Sequence, residues 1–180
     1  MPVQIVWIAI AVAVALALMR LAWVWHRYRG QRVITCPENQ KAAGVVVDAG
    51  HAAATGFGKA AELRLSTCSR WPERRNCGQE CLTQIQSSPE DCLVRNILVN
   101  WYGGKVCASC GQTFDEIEWS RKPALLTAGG GSVEWSQVSA DKLHEVLAAS
   151  SPLCFACHMA STLVREHPEL VVDRSARRPI

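Results

Sequence analysis

Cys107-Ala108-Ser109-Cys110-Gly111 opens, and Cys154-Phe155-Ala156-Cys157-His158 closes, the stretch on which the reading of this chain turns. Two Cys-x-x-Cys pairs offer four sulfurs, the number that fills a tetrahedral ion. The second pair, with His158 behind it, also spells a c-type haem attachment site. A thiolate-bound ion needs reduced thiols, whereas haem attachment requires a periplasmic domain. The side of the membrane on which the domain lies therefore separates the two readings.

Working outward to the N-terminus, Val3 to Trp25 is almost wholly apolar. About 20 helical residues span a bilayer's hydrocarbon. Arg20 lies near one end, placed to snorkel to headgroups. Trp7 sits near one interface, and Trp23 and Trp25 near the other, as in an aromatic belt. A cleaved leader has a cationic start, a shorter apolar run and a small-residue cleavage site. Met1-Pro2-Val3-Gln4 has no cationic side chain, and the run ends in Trp and Arg. The reading is an uncleaved anchor over 3–25. His26, Arg27, Arg29 and Arg32 follow in a basic segment, 26–35, read as a stop-transfer flank without a partner of its own. Positive charge beyond the span places the C-terminal domain in the cytoplasm. The expected protein is single-pass in an inner or cytoplasmic membrane, with thiols kept reduced.

Composition narrows the class. The 180 residues hold nine cysteines and carry a net charge of +3. That charge is too small, and too unlike a basic stripe, to argue for nucleic acid. About 150 residues beyond the anchor make a modest core that benefits from a staple. An odd cysteine count leaves one thiol over from any full disulfide pairing.

A first cysteine set occupies 36–101. Val45 to Ala49 reads as a strand, residues 50–61 as a small-residue loop, and Leu63 to Ser66 as a second strand. A hairpin of these strands brings Cys36 and Cys68 towards each other. Cys77 and Cys81, four apart, share a face if helical. Cys36, Cys68, Cys77 and Cys81 are then candidate ligands of one metal or an iron–sulfur cluster, unless they are buried thiols or disulfides. Ser87-Ser88-Pro89 reads as a helix start, and Cys92, Leu93, Ile97 and Trp101 recur at helical spacing, with Cys92 as a core residue.

In the second half, 102–172, Phe114 to Trp119 alternates as a strand. Ala124 to Thr127 and Val133 to Trp135 flank Gly129-Gly130-Gly131 as a hairpin. A short helix begins at a Ser139 cap, and another runs from Met159 to Glu166. A basic tail, 173–180, ends the chain. Lys105 to Gly111 resembles the zinc knuckle of zinc ribbons and treble clefs, in which Gly after the second Cys permits a positive φ. A knuckle, strands, and a Cys-x-x-Cys leading into a helix is similar to a treble clef over residues 105–167. The resemblance implies one zinc on Cys107, Cys110, Cys154 and Cys157. His158 is read as a surface or outer imidazole, since its adjacency to Cys157 makes joint ligation awkward.

The fold class expected is a single transmembrane helix plus a small α+β, metal-stapled domain, holding one or two zinc ions. The leading function is an accessory or scaffold subunit of a membrane assembly, with a protein partner. No Ser/His/Asp set, phosphate loop or small-molecule site stands out, so enzymatic activity stays open with a lean against it. A c-type cytochrome would instead hold haem on Cys154 and Cys157 with His158 as axial ligand. His51, His144, His167 or Met159 would then supply the second axial ligand. The same cysteines would also serve a thiol–disulfide oxidoreductase, or an iron or iron–sulfur electron carrier. The charge asymmetry predicts that alkaline phosphatase fused after Ile180 is inactive in cells. Activity there would put the domain on the oxidising side and favour haem.

Overall fold

In the computed structural model, which describes residues 2–170 except 58, 75, 115, 116, 118 and 120–122, the chain separates into two compact units. The first is Met1–Ile97 and the second Leu98–Ile180. The basic tail at 173–180 lies outside the described residues.

The first unit begins with α1 (Pro2–Tyr28). Val3–Tyr28 is long and apolar enough to cross a membrane, with a mean hydropathy of 2.5 in its most apolar window. The helix continues past Trp25, where the anchor was expected to end. Its last turns pack on the domain. Val24 is buried against Ala52 and Ala53 of α2 (Ala49–Thr55), with Leu21 and Tyr28 alongside. Alanines let the two helices approach closely. Gly56 follows for the same reason, because a Cβ there would stand 2.9 Å from the Ala52 carbonyl oxygen and 3.4 Å from Val24. The segment 50–61, expected to be a loop, is therefore helical in its first half. Asp48 explains why: its carboxylate accepts the His51 amide at 2.9 Å as a cap, and three alanines propagate the turn. The same carboxylate takes both Nε and Nη2 of Arg64, at 2.9 and 2.7 Å. The His51 amide first, and then Arg64, hold the Asp48 carboxyl below its usual range.

Three antiparallel strands follow in the order β1-β2-β3: β1 (Gln31–Thr35), β2 (Ala42–Val47) and β3 (Leu65–Cys68). Strand β1 was not foreseen, since Gln31-Arg32 reads as the end of a basic flank. Arg32 is in fact fully buried. Its Nη1 donates to the Tyr28 carbonyl at 2.6 Å and to that of Gly30 at 3.1 Å. Its Nη2 donates to the Arg27 carbonyl at 2.7 Å. The guanidinium thus caps the orphan carbonyls at the end of α1, where a cation also suits the helix dipole. The sheet's core is Ile34, Val45, Val47, Leu65, Cys81 and Ile85.

Two helices complete this region, α3 (Leu82–Ser87) and α4 (Val94–Tyr102), with the boundary between units falling inside α4. Cys81 is the residue before α3, and Cys77 lies on an irregular segment outside it, so the pair does not share a helical face. Helix α4 starts later than its Ser-Pro signal suggested. The Cys92 carbonyl accepts the Val33 amide at 2.8 Å, and Leu93 bridges to Arg32. Pairing with β1 holds these residues out of the helix. Cys92 is half-buried at the turn, its thiol directed at the Ser88 and Pro89 carbonyls.

The second unit is built on a sheet of order β5-β4-β6, comprising β4 (Ala124–Thr127), β5 (Ser132–Glu134) and β6 (Ser150–Leu153). The β4–β5 hairpin forms as expected. Strand β6 was missed because Pro152 reads as a helix stop. On an edge strand its missing N–H costs nothing to the ladder. Phe114, Ile117 and Trp119, the described residues of the expected 114–119 strand, are not in a strand. Phe114 instead packs its ring on Tyr102, with centroids 4.9 Å apart. Tyr102 is buried and donates to the Ala124 carbonyl at 2.7 Å. A 3-10 turn at Ala140–Lys142 leads into α5 (Leu143–Ala148). The Ser139 hydroxyl bonds the Asp141 carboxylate rather than capping the helix. Helix α6 (Phe155–Glu166) starts four residues before the expected Met159, so Cys157 and His158 lie in its first turn.

Replacing Arg32 tests the seating of α1. Arg32→Ala should lower the stability of the first unit by about 2–4 kcal/mol, through lost charged hydrogen bonds and uncapped carbonyls. Arg32→Lys should recover only part of this, because a single ammonium lacks the fork that reaches both Arg27 and Tyr28. Denaturant unfolding in detergent, followed by hydrogen exchange of residues 24–35, reads both effects.

Candidate metal centre

Two turns meet in the second unit. Cys107 leaves a short bridge between Val106 and Thr113. The Cys107 amide donates to the Gln112 carbonyl at 2.8 Å, and the Gly111 amide returns to the Cys107 carbonyl at 2.9 Å. Gly111 takes a φ of +73°, the left-handed conformation that closes this turn and that glycine adopts without a Cβ penalty. The Ala108 amide donates to the Pro152 carbonyl at 2.9 Å, which ties the knuckle to β6. Strand β6 then delivers Cys154 as the cap of α6, with Cys157 one turn on.

The result is a convergence of four sulfurs. Those of Cys107, Cys110, Cys154 and Cys157 all lie within 4.8 Å of one another. Cys110 and Cys154 are 3.7 Å apart across 44 positions of sequence. Tetrahedral zinc with Zn–S bonds of ~2.3 Å requires sulfurs roughly 3.7 Å apart, so the gathering has the size of one ion. Cys107 is buried, Cys154 and Cys157 are half-buried, and Cys110 is exposed. Backbone amides already address the sulfurs. Cys154 N–H points at the Cys107 sulfur at 3.3 Å, and Cys157 N–H at the Cys154 sulfur at 3.5 Å.

These surroundings divide the thiols. Burial opposes charge on Cys107, but the amides of Cys110, Cys154 and Ser109 outweigh it and hold the thiol down to about 6. Burial is the first cause that pushes Cys154 up to about 12. The sulfurs of Cys107, Cys110 and Cys154 interact closely enough that a thiolate at Cys107 helps hold the other two protonated. A divalent cation reverses that repulsion, which is the electrostatic reason such a cluster favours a metal.

His158 stands apart from the ligand set. It is buried, which removes the surface alternative, and its Nδ1 is 2.9 Å from the Ser132 hydroxyl. Ser132 in turn meets the Ser161 hydroxyl at 2.9 Å. This network fastens the first turns of α6 to β5. Nothing in the spacing of Ser132 or Ser161 announced it. Haem attachment needs Cys154 and Cys157 free of other sulfurs and His158 facing a porphyrin. Here both sulfurs belong to the set of four, and the His158 ring meets the Ser132 hydroxyl.

The first set is arranged differently. Cys36 follows β1, Cys68 ends β3, Cys81 precedes α3, and Cys77 lies on the irregular segment 76–79. Among the described residues these four do not reach the mutual separation of the other set.

The chain matches no family model, and neither a curated protein nor a solved structure is significantly similar to it. Because one ion needs all four sulfurs, Cys110→Ser and Cys154→Ser should each remove about one bound ion per chain. Both should also loosen residues 105–167 alike in hydrogen exchange. Elemental analysis of the two variants checks this. Unequal losses would show that the pairs serve different groups.

Proposed function

We propose that this protein is a single-pass membrane protein whose domain faces the cytoplasm and holds one structural zinc ion on Cys107, Cys110, Cys154 and Cys157. It serves, on this reading, as an accessory or scaffold subunit of a membrane assembly. The observation that carries the reading is the mutual approach of four sulfurs within 4.8 Å. Four protein ligands fill a tetrahedral ion and leave no open position for water or substrate, which suits structure rather than catalysis. Zinc bound there would tie the knuckle to the start of α6 and stabilise a unit with a thin core. The treble-clef resemblance is compatible with this placement of ligands.

One feature supports a protein partner. Phe155, Met159 and Leu163, spaced four apart on α6, are 37%, 49% and 49% exposed. An apolar row on the helix fixed by the metal gives a partner something rigid to bury. At the other end of the chain, α1 supplies a span of sufficient length and hydropathy. Charge around its end supports the cytoplasmic orientation. Trp23 lies between the guanidinium groups of Arg20 and Arg27, at 5.1 and 5.0 Å.

Purification of the full chain in mild detergent tests the proposal. The expected preparation contains zinc bound through Cys107, Cys110, Cys154 and Cys157, shows no Soret band, and migrates on a native gel above the size of the chain alone. Met159→Glu should return it to that smaller size without loss of metal. A Soret band with covalent haem would overturn the zinc reading, and an unchanged assembly in Met159→Glu would overturn this partner surface.

A further inference from the structure

We propose that Cys36, Cys68, Cys77 and Cys81 form a second thiolate metal site in the first unit, separate from the centre described above. In the order β1-β2-β3, both outer strands run antiparallel to β2 and leave the sheet at the same end. Cys36 stands where β1 ends and Cys68 where β3 ends. Cys81 is buried in the core cluster beneath, against which Cys36 and Cys68 also pack. A cavity of about 80 Å³ opens at this end, its lining including Cys36, Glu38, Cys77, Glu80 and Cys81. Three of the four thiols therefore share a cavity, and the fourth packs on the same core.

A cation lies against one of the four sulfurs. Arg70 Nη1 is 2.7 Å from the Cys36 sulfur and 3.3 Å from Glu38. A guanidinium against sulfur stabilises the anion. Ligation would release one proton from each thiol to solvent and form four sulfur–metal bonds, with no change of oxidation state. A divalent ion on four thiolates leaves an excess negative charge, and Arg70 offsets part of it.

Packing of these cysteines as small hydrophobes explains Cys81 but not Cys77. Cys77 is half-buried on an irregular segment beside Gly78 and Gln79, and Gln79 has a φ of +54°. Because the sulfurs do not reach the separation of the other set, binding a single ion must draw the Cys77 segment inward. A polynuclear iron–sulfur cluster spans wider sulfurs and uses the same four ligands.

Metal stoichiometry in the full chain tests the proposal. The protein is purified anaerobically in detergent and assayed for zinc, iron and acid-labile sulfide. Wild type should hold about two metal centres per chain, and Cys77→Ser and Cys110→Ser about one each. The double variant should hold none. Cys77 is chosen because it lies outside every strand and helix, and Cys68→Ser should repeat its result. Cobalt titration of wild type gives a second reading, with thiolate charge-transfer absorbance rising to about two equivalents. Zinc at the first set identifies a single ion, and iron with sulfide identifies a cluster; either supports the site. One centre in wild type, none in Cys110→Ser and no change in Cys77→Ser would overturn it. So would a wild-type mass about two units low from a Cys77–Cys81 disulfide. A loss confined to Cys77→Ser would retain this site and contradict the centre on Cys107 and Cys110.

Discussion

The approach of Cys107, Cys110, Cys154 and Cys157 is the constraint on which the second unit depends. Cys107 and Cys154 pack in its buried cluster with Ala124 and Leu153. Gathering four thiols in a half-buried place is unfavourable on its own, because thiolates repel and protonated thiols bond weakly. The backbone is nevertheless arranged for it, with a glycine turn under one pair and a helix start under the other. Metal binding would offset both the repulsion and the closure of the long loop between the pairs. Helix α6 would then take its direction from the centre, and the His158–Ser132–Ser161 contacts secure its first turns.

The first unit rests on a different device. Helix α1 is exposed along most of its length, yet its final turns are seated by Val24 on α2 and capped by the buried Arg32. Burying a guanidinium is costly unless its donors are used, and here four main-chain carbonyls accept from Nη1 and Nη2, while Nε has no partner among the described residues. The charge of Arg32 therefore serves folding, while Arg20, Arg27 and Arg29 stay near the tryptophans at the helix end. A helix fixed in this way would hand the first unit to a membrane in a set orientation instead of through a slack linker.

Much of the centre was legible because its evidence is local. Two Cys-x-x-Cys turns, and a glycine after the first, specify sulfur geometry within a few residues. The β4–β5 hairpin was legible for the same reason, through its glycines. Other elements depended on distant partners. Strand β1 is hidden because Arg32 carries the most polar of side chains and is buried only by the end of α1. Strand β6 is hidden by Pro152, which an edge strand tolerates. Asp48 converted an apparent glycine-rich loop into α2 by capping it, and pairing of Cys92 with Val33 delayed α4. In each case tertiary contact overrode a local signal.

On the proposed reading, the chain is a membrane-seated scaffold whose rigid parts are fixed by sulfur rather than by a large core. Its central claim is that a single ion joins the two Cys-x-x-Cys turns. X-ray absorption at the zinc edge of the full chain tests that claim most directly. The account predicts a first shell of about four sulfurs at ~2.3 Å and no light scatterer. A shell containing histidine nitrogen or oxygen, or metal present only as iron in a porphyrin, would contradict it.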